Sequence, residues 1–211
     1  MKDLRFRTIS LTLLIVTFGF LGISAATVSD LNLFFKEGHG LELASVGVLF
    51  AAVVLWLWLA GPYRWREWQI PFLFLAMAAR EMDADKRFTD YGLLKLNTYT
   101  GPAPWGEKLL GAAIIALTLW ASWRLLTRNA PLWWQRLKAG RLDAWLIAGA
   151  FVLGVVAKTI DGLGRKLAGF GIEISAQTDQ MAGRTEEVLE LACYLMLAIA
   201  VARLSSLRGA R

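Results

Sequence analysis

The sequence predicts an all-α membrane protein: one domain over residues 1–211, built as a bundle of about six transmembrane helices. Hydrophobic residues make up 56% of the chain, which is more than a soluble domain of this length requires. They occur in blocks of roughly twenty residues, enough for a helix to cross about 30 Å of hydrocarbon. The alternation of apolar and polar residues that a membrane strand needs is absent from the sequence.

The six predicted spans follow the apolar blocks in chain order. They are residues 8–26, 41–60, 70–88, 108–126, 143–163 and 186–207. In the third, only Ile70 to Ala79 is free of charge, which is too short to span alone. We still predict a span there, because Pro71 is favoured at the start of a helix. Its charged end would then enter the outer part of the membrane.

The basic residues predict the orientation of the bundle. With the N-terminus inside, the cytoplasmic segments hold 13 of the 23 basic residues and only three of the 17 acidic residues, namely Asp3, Glu67 and Asp143. Because cytoplasmic loops are enriched in Lys and Arg, we expect both termini in the cytoplasm and the protein in the inner or plasma membrane. Nine of the ten tryptophans, all but Trp105, lie near the same ends, as in an aromatic belt.

The first apolar block also resembles a signal peptide, since Ser24-Ala25-Ala26 satisfies a cleavage rule. The block is long for a signal sequence, which favours an uncleaved first helix. The net charge of +6 does not indicate a nucleic-acid partner, because the positive charge flanks apolar spans and suits a membrane surface. The expected partners are membrane lipids and a second protein within the membrane.

Three clusters of ionisable residues lie at the outer ends of the third, fifth and sixth spans. Spacings of three, four or seven place most side chains of each cluster on a shared helix face, while Arg80 lies on a neighbouring face with Asp83 and Arg87. The clusters are Arg80, Glu81 and Asp85; Lys158, Asp161 and Arg165; and Glu186, Glu187, Glu190 and Tyr194. A charge at membrane depth costs roughly 2.5 to 3.5 kcal/mol on insertion scales. The three clusters are therefore expected to meet in one polar pocket that opens to the outside.

Such a pocket suits an enzyme that acts on a lipid or a lipid-linked head group. Crowded carboxylates supply general acids and bases, and the predicted catalytic residues are Glu81, Asp85, Asp161, Glu187 and Glu190. Carboxylates without histidine or thiolate also suit a hard divalent cation such as Mg²⁺, Ca²⁺ or Mn²⁺, with Glu81, Asp85, Asp161 and Glu190 as predicted ligands. An anionic head group would contact the predicted substrate-binding residues Arg80, Lys158, Arg165 and Tyr194.

Two other functions fit the same residues. In an accessory or assembly subunit without enzymatic activity, the charged stripes would pair with one another or with a partner protein. A small transporter is less well supported, because the sequence lacks repeats and helices broken at the bilayer midplane. For Glu186 and Glu187 a local interpretation is also open: a solvated first helical turn that follows Thr185 as the N-cap.

Overall fold

The computed structural model describes residues 2–28, 34–35, 38–88 and 92–208. Within these residues the chain forms helices and no strand. In chain order the helices are α1 (Lys2–Thr27), α2 (Gly40–Leu59), α3 (Tyr63–Arg66), α4 (Gln69–Glu81), α5 (Ala84–Phe88), α6 (Leu96–Thr100), α7 (Trp105–Arg128), α8 (Ala130–Lys138), α9 (Leu142–Ile160), α10 (Leu163–Ala168) and α11 (Ala176–Arg208).

Four helical segments in the described part of the chain are long and apolar enough to cross a membrane. They are Leu4–Thr27, Gly40–Leu59, Trp105–Lys138 and Leu142–Ile160. The shortest has 19 residues, or about 28 Å at a rise of 1.5 Å per residue. Large apolar side chains on these helices are exposed, and lipid chains would cover them in a membrane. The predicted all-helical class is confirmed, with four helices of membrane-spanning length and composition.

The core of the molecule lies between α2 and α11. Both helices carry buried alanines, such as Ala52 on α2 and Ala198 on α11. Small side chains let two helix backbones approach closely, which is how helices associate in lipid. Trp56 is the largest fully buried side chain, and its indole N–H donates to the Arg64 carbonyl oxygen at 3.4 Å. The α2–α11 pair therefore forms the axis of the bundle.

The remaining long helices pack on this axis. Helix α9 contacts α11, α4 contacts α2, and α7 contacts α4, while α1 lies against both α2 and α11. Two glycines of α9 lie at its contact with α11, and a Cβ atom at Gly149 would lie 2.5 Å from Cε of Met196. At Gly154 the added atom would lie 3.6 Å from Sγ of Cys193. This arrangement leaves a groove between α4 and α7 on one side and α9 and α11 on the other.

The third predicted span is not one continuous helix, so the prediction of a single helix over residues 70–88 is wrong. Helix α4 ends at Glu81 and α5 begins at Ala84. Between them, Asp83 has a φ of 46°, a left-handed conformation that interrupts a right-handed helix. With 13 residues, α4 alone is about 20 Å long, which is less than the hydrocarbon thickness of about 30 Å.

Helix α11 begins well before the predicted start at residue 186. Ser175 precedes the helix, and its hydroxyl oxygen accepts a hydrogen bond from the Thr178 N–H at 3.1 Å, as an N-cap does. Thr185 lies inside the helix, where its hydroxyl donates to the Met181 carbonyl oxygen at 2.7 Å. Glu186 and Glu187 therefore stand about three turns into the helix. Their interpretation as a solvated first turn after a Thr185 cap is wrong.

Candidate functional site

The side chain of Lys158, in the last turn of α9, joins α9 to α11. Its ammonium nitrogen lies 2.7 Å from Oε1 of Glu190, 3.2 Å from Oε1 of Glu186 and 3.8 Å from Oδ2 of Asp161. Glu186 and Glu190 are one turn apart on α11, so both carboxylates face the same ammonium. Glu190 is only 7% exposed, and a buried carboxylate needs a partner of this kind.

A second contact joins α4 to α11. The Tyr194 hydroxyl donates a hydrogen bond to Oε1 of Glu81, the last residue of α4, at 2.8 Å. Tyr194 lies one turn beyond Glu190, so one face of α11 reaches both Lys158 and Glu81. Glu187 is half-buried beside them and has no ion-pair or hydrogen-bond partner among the described residues. The three predicted clusters thus contribute side chains to one region, which we call the carboxylate end of the bundle.

The break between α4 and α5 is held by charged side chains. The Asp83 carboxylate pairs with Nη1 of Arg80 at 3.0 Å and with Nζ of Lys86 at 2.6 Å. Because the helix ends here, Glu81 and Asp85 do not share a face of one continuous helix, and that part of the prediction is wrong. Arg80 and Asp85 still line the same groove as Glu81.

The groove has a volume of about 1250 Å³. Its carboxylate end is lined by eight acidic side chains: Glu42, Glu81, Asp83, Asp85, Asp161, Glu186, Glu187 and Glu190. The middle of the groove is apolar, with Leu73, Met77, Ile114, Ile147, Leu197, Val201 and Leu204 among the lining residues, and Asn129, Arg136 and Asp143 line its opposite end. A cavity in which a long apolar stretch follows a carboxylate-rich end has the shape and polarity of an amphiphile site.

All but one of the predicted site residues line this groove. The exception is Arg165 on α10, whose side chain is exposed and folds over the turn at Gly162. Gly162 has a φ of 56°, and a Cβ atom there would lie 2.8 Å from Nη2 of Arg165. The structure therefore does not bring Arg165 together with Lys158 and Asp161, although all three fall on one stripe of an ideal helix.

A metal site is not evident in the described part of the chain. No three His, Cys, Asp or Glu side chains converge there as a ligand group for a metal ion. The Lys158 ammonium already lies within 4.0 Å of three of the acidic side chains, including the predicted ligands Asp161 and Glu190. A divalent cation at that point would have to displace Lys158, because two cations repel at such short range.

Sequence reasoning missed a second polar network, at the opposite end of the bundle, which we call the basic end. Glu67 is 7% exposed and Gln69 is fully buried. Nε2 of Gln69 donates to Oε2 of Glu67 at 2.7 Å, and Arg128 pairs with Oε1 of Glu67 at 3.2 Å. Oε1 of Gln69 accepts from Nε of Arg124 at 2.9 Å. These contacts join the start of α4 to the end of α7.

Asp143, at the start of α9, forms the other buried ion pair at the basic end. It is 1% exposed, and its Oδ2 lies 2.7 Å from Nε of Arg136 on α8. Arg203 on α11 approaches Oδ1 at 4.0 Å. A signal for these pairs was present in the sequence, since Glu67 and Asp143 are two of only three acids in segments rich in arginine. An acid kept among many bases indicates a specific ion pair.

The Glu67 network predicts an acid-sensitive stability. Burial raises the pKa of Glu67, but hydrogen bonds from Gln69 and Asn129 and the charge of Arg128 outweigh it and hold the pKa below the ordinary value of 4.5. A carboxylate with a lowered pKa stabilises the fold above its unfolded pKa and loses that contribution as the pH falls. Glu67→Gln should lower the free energy of unfolding at pH 7 by about 1.5 kcal/mol and so lower the unfolding temperature, and this difference from wild type should shrink below pH 4.5.

Thermal unfolding in a nonionic detergent, followed by tryptophan fluorescence from pH 8 to pH 3.5, measures this difference. Glu173→Gln is the matched control, because Glu173 is exposed and lies outside the network. A gap between wild type and Glu67→Gln that stays constant down to pH 3.5 would contradict the role given to the Glu67 carboxylate.

In comparisons with known proteins, no protein family, no curated protein and no solved structure matches the chain. The class of protein therefore rests on the helices and the groove themselves. The chain is an all-helical protein with four helices that can cross a membrane by length and composition.

Proposed function

We propose that this protein is a membrane-embedded enzyme that acts on a lipid or a lipid-linked substrate from the outer face of the membrane. One observation supports the proposal above the others: the carboxylate end and the apolar stretch belong to the same groove. An amphiphile could place its head group among the carboxylates while its chain stays in apolar surroundings. A soluble substrate would leave the apolar stretch of the groove unused.

The groove follows α11 over most of its apolar length. Tyr194, Leu197, Val201 and Leu204 line the groove along one face of α11. The ten-residue separation between Tyr194 and Leu204 corresponds to about 15 Å of helix. A lipid whose head group lies near Glu187 would thus extend its chain along this face of α11 toward the basic end, where Arg203 approaches Asp143.

The topology that accompanies this proposal has six crossings with both termini in the cytoplasm. Besides the four long apolar helices, α4 with α5 and the apolar part of α11 would cross, since both pack against α2. The basic end would then face the cytoplasm, where Lys and Arg are favoured, and the carboxylate end would face outward. This orientation belongs to an inner or plasma membrane, and it gives the groove access to the outer leaflet.

The contacts at the carboxylate end suggest different tasks for its residues. Glu187 lines the groove without a partner among the described residues, so its carboxylate is available for proton transfer to or from a substrate. Glu81 is oriented by the Tyr194 hydroxyl, and Glu190 is engaged by Lys158. Asp85 and Asp161 complete the polar lining. We therefore place the acid–base function on Glu187, with Glu81 as its neighbour.

A second function, that of a non-enzymatic accessory or assembly subunit, is favoured by the Lys158 contacts. One ammonium on α9 that pairs with two carboxylates on α11 is also what a purely structural link between two helices requires. On that proposal the network stabilises the bundle and the protein converts no lipid. Glu187 has no partner in the described chain, so its substitution leaves the stability unchanged.

Blocking the groove tests the lipid proposal. We expect Thr118→Trp, which places a large ring in the groove, to abolish conversion of lipid by the purified protein in nanodiscs made from the host's total lipid extract. Mass spectrometry of the extract before and after incubation identifies any lipid that wild type consumes. Phe151→Trp is the matched control, because Phe151 is 72% exposed on α9 and lies outside the groove. Equal conversion by wild type and Thr118→Trp, or none by wild type, would reject the proposal.

A further inference from the structure

The cations at the carboxylate end already have carboxylate partners. Three basic side chains line this end in the described part of the chain: Arg80, Lys86 and Lys158. Arg80 and Lys86 both pair with Asp83. Lys158 pairs with acids on α9 and α11, and Arg165 lies outside the groove. A phosphate or sulfate entering the groove would have to compete with these carboxylates for each cation.

Carboxylates, in contrast, are in excess. Eight acidic side chains line this end of the groove, against three basic ones, among the described residues. Glu187 has no partner among them, and Glu81 accepts its hydrogen bond from the neutral hydroxyl of Tyr194. Unbalanced negative charge in a partly dehydrated site is unfavourable, and a positive ligand group would relieve it. Charge complementarity therefore selects the sign of the head group.

We infer that the groove binds an amphiphile whose head group carries an ammonium group, which lies between Glu81 and Glu187 while the chain follows α11 toward Leu204. This inference rests on the proposed lipid-binding function and names its substrate class. It reverses the expectation that Lys158 and Arg165 bind an anionic head group. The apolar wall and the charge excess are separate observations, and together they require a ligand that is both apolar and cationic.

Three single-chain probes with the same hydrocarbon tail test the charge of the head group: hexadecylamine, hexadecyl phosphate and hexadecanol. Each is titrated at low mole fraction into the full-length protein in dodecyl maltoside, and the shift of the thermal unfolding temperature gives an apparent affinity. We expect hexadecylamine to bind at least about tenfold more tightly than hexadecanol, and hexadecyl phosphate to bind most weakly.

Two variants locate the bound probe. Glu187→Gln should weaken hexadecylamine binding about tenfold and leave hexadecanol binding unchanged. Glu173→Gln, at an exposed position outside the groove, should change neither. Thr118→Trp should abolish binding of all three probes, since they share the apolar part of the groove.

The outcomes separate the two proposals. Saturable binding that Thr118→Trp abolishes, but with hexadecyl phosphate as the tightest probe, would overturn the head-group inference and keep the lipid proposal. Hexadecylamine binding that Glu187→Gln leaves unchanged would also overturn the inference. If calcium chloride alone stabilises wild type but not Glu187→Gln, the pocket takes a metal ion and the inference fails. If Thr118→Trp leaves the binding of all three probes unchanged, both proposals are overturned.

Discussion

Glutamine in place of Glu187 is expected to reduce conversion of the lipid substrate by at least about 100-fold, which is the contribution of one general acid or base. The substitution keeps the size of the side chain and removes its ability to exchange a proton. Glu187 makes no ion pair with the described residues, so the unfolding temperature should change by less than about 2 °C. The rate is measured in nanodiscs, using the lipid that mass spectrometry identifies as consumed.

Glu190 provides the matched comparison, because it lies one turn from Glu186 and pairs with Lys158 at 2.7 Å. Glu190→Gln should lower the unfolding temperature as well as the rate, since it removes one partner of a buried ion pair. Full activity in Glu187→Gln, with the protein folded, would remove Glu187 from the mechanism. Loss of stability in Glu190→Gln alone, with no measurable turnover in wild type, would favour the accessory subunit.

Methionine in place of Arg136 is expected to destabilise the protein by about 3 kcal/mol, the lower end of the range for removing one partner of a buried pair. Asp143 is 1% exposed, and its remaining cation, Arg203, lies 4.0 Å away. The Asp143 carboxylate would then be buried with too little compensation. For a chain of this length the loss corresponds to about 9 °C in unfolding temperature, which differential scanning fluorimetry in detergent measures.

A second substitution shows whether the loss of stability comes from the unpaired charge of Asp143. Arg136→Met combined with Asp143→Asn should recover about half of the lost stability, because the buried charge is gone. Arg141→Met serves as the control, since Arg141 is exposed at the start of α9. A double variant as unstable as Arg136→Met alone would show that packing of the arginine, and not its charge, stabilises the junction of α8, α9 and α11.

The apolar blocks located the long helices well because hydropathy is a property of each segment by itself. Five of the six predicted spans lie within or close to α1, α2, α7, α9 and α11. The third predicted span is interrupted at Asp83, where the backbone is left-handed and the side chain pairs with Arg80 and Lys86. A left-handed residue other than glycine depends on such local contacts, and a run of alternating charges gives no sign of which residue will adopt it.

Helical spacing grouped residues that line one groove in the structure, for a physical reason. Residues three or four positions apart share a face whatever the helix packs against, so Glu190 and Tyr194 belong to one stripe in any bundle. Spacing did not predict the position of Arg165, because α9 ends at Ile160 and the chain turns at Gly162 before it reaches Arg165. Spacing also could not indicate the ion pair at the basic end, because Glu67 and Arg128 come from elements far apart in the chain.

By itself, the sequence determined that the chain is helical, where its apolar helices lie, and that acids gather at one set of their ends. Composition and periodicity suffice for these features, because each depends on neighbouring residues only. The tertiary structure alone decided which carboxylate pairs with which cation and which carboxylate has no partner among the described residues. It alone also decided that an apolar groove continues from the carboxylate end. Those features depend on how each helix is rotated and how closely it approaches the next, and both follow from packing across the whole bundle.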